Sequence, residues 1–128
     1  MPVFTLPNDL DPLKQQLSHA GRDAWLVVCF CAAWCDTCRQ YERDFAQLAS
    51  KWPQHVFTWV DIEENPELLG DEDVENFPTL LVQTSNENRF FGPMLPHIGH
   101  LDKLLETIDR MPTLRGGPPP LRPLLMAQ

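Results

Sequence analysis

Basic residues are scarce in this chain: ten Lys and Arg stand against eighteen Asp and Glu, a formal charge of -8. Phosphate contact wants a basic face, so this balance argues against a general nucleic-acid binder. Long apolar runs are missing too. None approaches the roughly 18–20 residues of a membrane span, and no membrane partner is expected. The N-terminus, MPVFTLPNDLDPLK, lacks the basic start and apolar stretch of a signal peptide, so a cytoplasmic location is expected. There is no internal repeat, and 128 residues suffice for one hydrophobic core but are short for two. Cysteine is absent outside one stretch, CFCAAWCDTC, residues 29–38, which holds Cys29, Cys31, Cys35 and Cys38. A reducing cytoplasm disfavours structural disulfides, so clustered cysteines there point to metal binding or redox chemistry.

At 43% hydrophobic and 22% charged residues, the composition is that of an ordinary globular domain. Leu10, Leu13, Leu17 and Ala20 share a helical face closed by Gly21, with Asp9 or Asp11 as cap and Pro12 in the first turn. WLVVCF, from Trp25 to Phe30, reads as a strand covered on both faces. Tyr41, Phe45, Leu48 and Trp52 mark a second helix, with Pro53 as its stop. HVFTWVDI is another strand, and PELLGDEDV a short helix or turn. TLLVQ and NRFFG flank the polar residues 85–87 as a hairpin. Ile98, Leu101, Leu104, Leu105 and Ile108 give a last helix. With a first strand at Val3 to Leu6, this order predicts an α/β sandwich with a mixed central sheet over residues 1–110. The remainder, 111–128, is Pro-rich and reads as a loose, flexible tail with polyproline II character.

Cys35 and Cys38 follow a buried strand and open a helix. Cys35 then sits at the helix N-terminus, where free N–H groups and the dipole favour a thiolate. The i, i+3 spacing brings Cys38 beneath it, within disulfide reach. Dithiol exchange needs both: an exposed thiolate to attack and a protected thiol to resolve the mixed disulfide. Cys29 and Cys31 share one face of the strand and are expected inside as small hydrophobes. Four cysteines also raise zinc or an iron–sulfur cluster, but separations of two, four and three do not form a typical finger pattern. A Cys31–Cys35 disulfide is a further alternative.

VVCFCAAWCDTC, VDIEENPEL and VENFPTLLV together resemble the thioredoxin family over about residues 10 to 110. The resemblance implies a thioredoxin-like three-layer α/β/α sandwich. It makes Cys35 and Cys38 the catalytic pair, with Trp34 partly covering them. Pro78 takes the place of the family's cis-proline, which aligns an incoming disulfide, and Gly92 matches the glycine that closes the substrate groove. With Phe77, Pro93 and Met94, these residues are expected to form an apolar docking surface; core packing is the alternative for Phe77. The implied function is thiol–disulfide exchange on a disulfide-containing protein substrate. An upstream reductant such as a thioredoxin reductase or glutathione then restores the dithiol, and neither metal nor organic cofactor is needed. A monomer is expected. The CxxxC from Cys31 to Cys35 also matches copper-delivering relatives, which need a well-placed His as well.

The departures from the family bear on mechanism. Cys29 stands where thioredoxins carry a buried Asp thought to move the proton of the second thiol, so slower resolution, or resolution through water, is expected. Cys31 replaces a Trp and Trp59 a Lys, an exchange of volume in which Trp59 fills space given up at Cys31. Arg43 replaces a helix-kinking Pro. Between the cysteines, Asp36 and Thr37 replace the common Gly-Pro. A carboxylate at Asp36 disfavours the neighbouring thiolate and favours reductase over oxidase chemistry, with Arg39 offsetting it in part; alternatively Asp36 caps the helix. Eight carboxylates between Asp61 and Glu75 form either a solvated face or a surface that steers a basic partner. A rival reading keeps the fold as a binding or adaptor module with little turnover.

Overall fold

The computed structural model describes residues 3–21 and 23–128. Val3–Leu6 forms β1, Leu10–His19 α1, Trp25–Cys31 β2, Asp36–Lys51 α2 and Val56–Asp61 β3. A 3₁₀ turn at Pro66–Leu69 precedes β4 (Thr79–Thr84) and β5 (Glu87–Pro93), followed by α3 (Ile98–Thr107), a 3₁₀ turn at Ile108–Arg110 and α4 (Leu121–Met126). The strands form one sheet in the order β1-β3-β2-β4-β5. The pairs β1–β3 and β2–β3 are parallel, and β4 and β5 join antiparallel. This is the expected mixed sheet in an α/β/α sandwich.

All seven residues of β2 are buried, because it lies at the centre of the sheet with helices on both faces. Alternation along the strand divides them. Val27, Cys29 and Cys31 join Cys38, Tyr41, Phe45 and Leu48 of α2 and Leu101 and Leu105 of α3. Leu26, Val28 and Phe30 join Leu13 and Leu17 of α1 on the opposite face. The hairpin turns through Ser85 and Asn86, both at positive φ, the conformation of a two-residue type I′ turn whose twist suits the flanking strands.

The C-terminal segment corrects the expectation of a loose tail. Leu121 and Leu125, one helical turn apart on α4, are buried in the α1-side core. The buried Gln83 side chain accepts from the Leu121 N–H at 2.9 Å and donates to the Pro119 carbonyl at 2.9 Å. Asn88 Nδ2 donates to the Gly116 and Pro118 carbonyls, each at 2.8 Å. Arg122 donates to the carbonyls of Leu17 and Ala20 at the end of α1. Proline removes donors and fixes φ, but side chains from the hairpin satisfy the carbonyls that remain.

Candidate active site

The site forms where β2 ends and α2 begins. A tight turn links them, closed by the Cys35 N–H donating to the Ala32 carbonyl at 3.1 Å. Cys35 is the N-cap of α2, in extended conformation, and its thiol is free and half-buried. The sixteen-residue helix directs its unpaired N–H groups and positive dipole end toward this position. Cys38 lies one turn deeper and is buried.

The sulfur of Cys38 is bonded to Cys31 and not, as expected, to Cys35. The physical reason is facing. Cys31 ends β2 on the face that looks at α2, and Cys38 is on the α2 face that looks at the sheet. Their Cα atoms are 5.9 Å apart, within the usual disulfide range. Cys35, outside the first helical turn, is left as the thiol nearest solvent. Cys31 is therefore no inert core thiol, although both it and Cys29 are buried as expected. The signal for this pairing was present: strand alternation sends Cys31 to the side from which Cys38 approaches.

Cys29 sits behind this pair, its sulfur 3.7 Å from that of Cys31. Burial, helped by the charge of Glu42, pushes its thiol well above the usual range. Near neutrality it is an S–H donor and not the proton acceptor that a carboxylate would be. Trp59 neighbours Cys29 in the strand register, while Asp61 neighbours Cys31, and Trp59 packs in the same core. The filling is incomplete: a cleft of about 250 Å³ remains beside Cys31, Cys38 and Trp59, lined also by Arg39, Glu42 and Asp61.

Phe77 and Pro78 approach from the loop before β4. The Phe77–Pro78 peptide bond is cis, and the Pro78 carbonyl accepts from the Met94 N–H at 3.1 Å. The Trp34 and Phe77 rings meet edge to face with centroids 5.6 Å apart. Cys35, Phe77 and Met94 all pack, partly exposed, on the α2-side core. Gly92 is opposite Leu80 in the β4–β5 register, one pair in from Thr79 and Pro93. Phe77 thus serves neither pure core nor pure surface: it is half-buried with one edge on Trp34.

Asp36 is the first residue of α2, not its cap, and makes an exposed ion pair with Arg39, so Arg39 offsets its charge as anticipated. Thr37 is half-buried beside it. In α1, likewise, Asp9 holds the cap position but turns its carboxylate back to the Thr5 N–H at 2.8 Å. The acidic run reaches the site at its start: Glu63 Oε1 accepts from Trp34 Nε1 at 2.5 Å. Among the described residues, no group of three or more His, Cys, Asp or Glu is arranged to hold a metal ion. His97 and His100 lie near one another at the start of α3, with ring centroids 6.0 Å apart.

Comparisons with known proteins agree with this fold. A rice thioredoxin H5 (Oryza sativa subsp. japonica) is 42% identical over 85 residues, 66% of this chain; the match spans 62% of that protein, less than two thirds of its length. A thioredoxin of Ophiophagus hannah is 32% identical over 85 residues, 66% of this chain and 80% of its own. The crystal structure of a poplar thioredoxin h covers 84% of this chain and 96% of its own with a TM-score of 0.68, at 20% identity. That of Fasciola hepatica thioredoxin covers 88% and 100% with a TM-score of 0.61, at 27% identity. The family model described as Thioredoxin matches residues 9–95, most of the chain including the β2–α2 junction and the cis proline, and the protein belongs to the thioredoxin family.

Proposed function

We propose that the protein is a thiol–disulfide oxidoreductase that reduces protein disulfides, with Cys35 as the attacking thiol and Cys38 as the resolving one. The thiolate of Cys35 attacks one sulfur of a substrate disulfide, forming a mixed disulfide and releasing the other sulfur as a thiolate. Cys38 then attacks Cys35 Sγ, closing a Cys35–Cys38 bond and freeing the second substrate thiol. Two electrons pass to the substrate, and an upstream dithiol or thiol donor, a thioredoxin reductase or glutathione by class, returns them. The proposal has the protein acting as a monomer in the cytoplasm, where such donors keep thiols reduced.

The observation that carries this reading is exposure. Of the four cysteines only Cys35 is free and open to solvent, and it stands at a helix N-terminus. Trp34, Phe77, Pro78 and Gly92 are read as the surface that receives the substrate chain. The test is insulin-disulfide reduction. The wild type should turn over, and Cys35→Ser should lose activity completely.

A second reading is favoured by the bond between Cys31 and Cys38, which occupies the resolving thiol. A protein held in that state would bind through the same surface with little turnover. A folded wild type, fully reduced beforehand, that leaves insulin intact would establish this adaptor role instead.

A further inference from the structure

The two-thiol exchange assigns no task to Cys29 or Cys31, yet Cys31 holds the bond to Cys38. We propose that Cys31 is a third redox-active cysteine, which takes the disulfide from Cys35 after substrate reduction and returns Cys35 to its free form. This rests on the oxidoreductase reading above. The step is an exchange within the chain. Cys31 Sγ attacks Cys38 Sγ of the Cys35–Cys38 disulfide, the old bond breaks, a Cys31–Cys38 bond forms, and the electron pair leaves on Cys35 Sγ. The proton lost by Cys31 ends on Cys35 or in water, and no oxidant or reductant is consumed.

Three features support it. Cys38 lies between the two alternatives: one helical turn from Cys35 in sequence, and 5.9 Å from Cys31 between Cα atoms. The neighbouring Cys29, 3.7 Å from Cys31 Sγ, remains protonated because it is fully buried, so its S–H can stabilise Cys31 as a thiolate. The cleft beside Cys31 and Cys38, with Glu42 and Asp61 in its lining, gives the proton a polar way out. The result is an oxidised protein whose disulfide is buried while its partly exposed thiol remains reactive.

Linkage mapping tests this on the intact protein. Fully reduced protein is oxidised by excess insulin, quenched in acid, alkylated with N-ethylmaleimide and cut with chymotrypsin. Cleavage after Phe30, Trp34 and Tyr41 separates residues 31–34 from 35–41. The relay predicts these two peptides joined by a disulfide, with the alkyl group on Cys35. A disulfide confined to residues 35–41, with Cys31 alkylated, overturns it. Insulin reduction on the same preparation separates the two claims. Turnover with only the Cys35–Cys38 link removes the relay and leaves the oxidoreductase. A Cys31–Cys38 link that forms in air while insulin stays intact removes both and leaves a structural disulfide. In Cys31→Ser the oxidised form should lose its natively alkylated Cys35; retention of that reactive thiol contradicts the relay.

Discussion

Trp34 and Phe77 hold each other edge to face across the two loops that frame Cys35, their ring centroids 5.6 Å apart. One ring belongs to the turn before α2 and the other precedes the cis proline, so this contact joins the loop of Cys35, the proposed attacking thiol, to the loop proposed to align the substrate. Trp34 is 66% exposed, a poor location for an indole that serves stability alone. Trp34→Ala should leave thermal stability within about 0.5 kcal/mol of wild type. It should raise the KM for insulin about threefold to tenfold, with a smaller change in kcat. Phe77→Ala should do the same while costing about 1–2 kcal/mol, since half its ring is packed. Steady-state kinetics with urea unfolding separates the two contributions.

The docked C-terminal segment makes a second prediction. Leu121 is fully buried and Leu125 nearly so. Leu121→Ala should cost about 2–4 kcal/mol in urea unfolding. Gln83→Leu, which orphans the Leu121 N–H and the Pro119 carbonyl, should cost about 1–3 kcal/mol. A freely moving tail would give no change for Leu121→Ala.

Cys29 gives stability a dependence on alkaline pH. Its folded thiol is held well above its ordinary value of 9.0 by burial, with a smaller push from Glu42. The unfolded thiol ionises near that ordinary value. Its contribution is therefore complete below pH 9.0 and is lost as pH rises toward the folded value, by up to about 1.4 kcal/mol per pH unit. Tyr41, raised by burial from 10.0, adds a loss of the same sign at higher pH. With Cys35 alkylated to prevent exchange, Cys29→Ala should show a shallower decline between pH 9 and 10.5 than wild type. Parallel curves would contradict the assignment.

The layers were legible in the sequence because each element followed a local rule. The apolar run from Trp25 to Phe30 placed β2 at the centre, and the i, i+3, i+7 leucines placed α1 on one face. The site was legible in part. Spacing brought Cys35 and Cys38 together because i, i+3 is a property of one helix. The Cys31–Cys38 bond crosses from a strand to a helix, so it depends on how far apart the two layers pack, which spacing alone does not state. The tail was misread for a related reason. Its five prolines hide two leucines four residues apart, and Gln83 and Asn88, whose side chains tie it down, are more than twenty-five residues away in the chain. Asp36 showed the limit of motif reading: a good capping residue stands one position too late, because the turn places Cys35 at the cap, with no side-chain capping hydrogen bond.

The central claim is that Cys35 makes the attack on substrate, and capture of the mixed disulfide tests it most directly. A chain carrying both Cys31→Ser and Cys38→Ser has no resolving thiol, so incubation with a disulfide-bonded peptide should halt at the covalent adduct. Peptide mapping should find the adduct on Cys35 in the folded protein. An adduct on Cys29, or none while the fold is intact, would contradict the account.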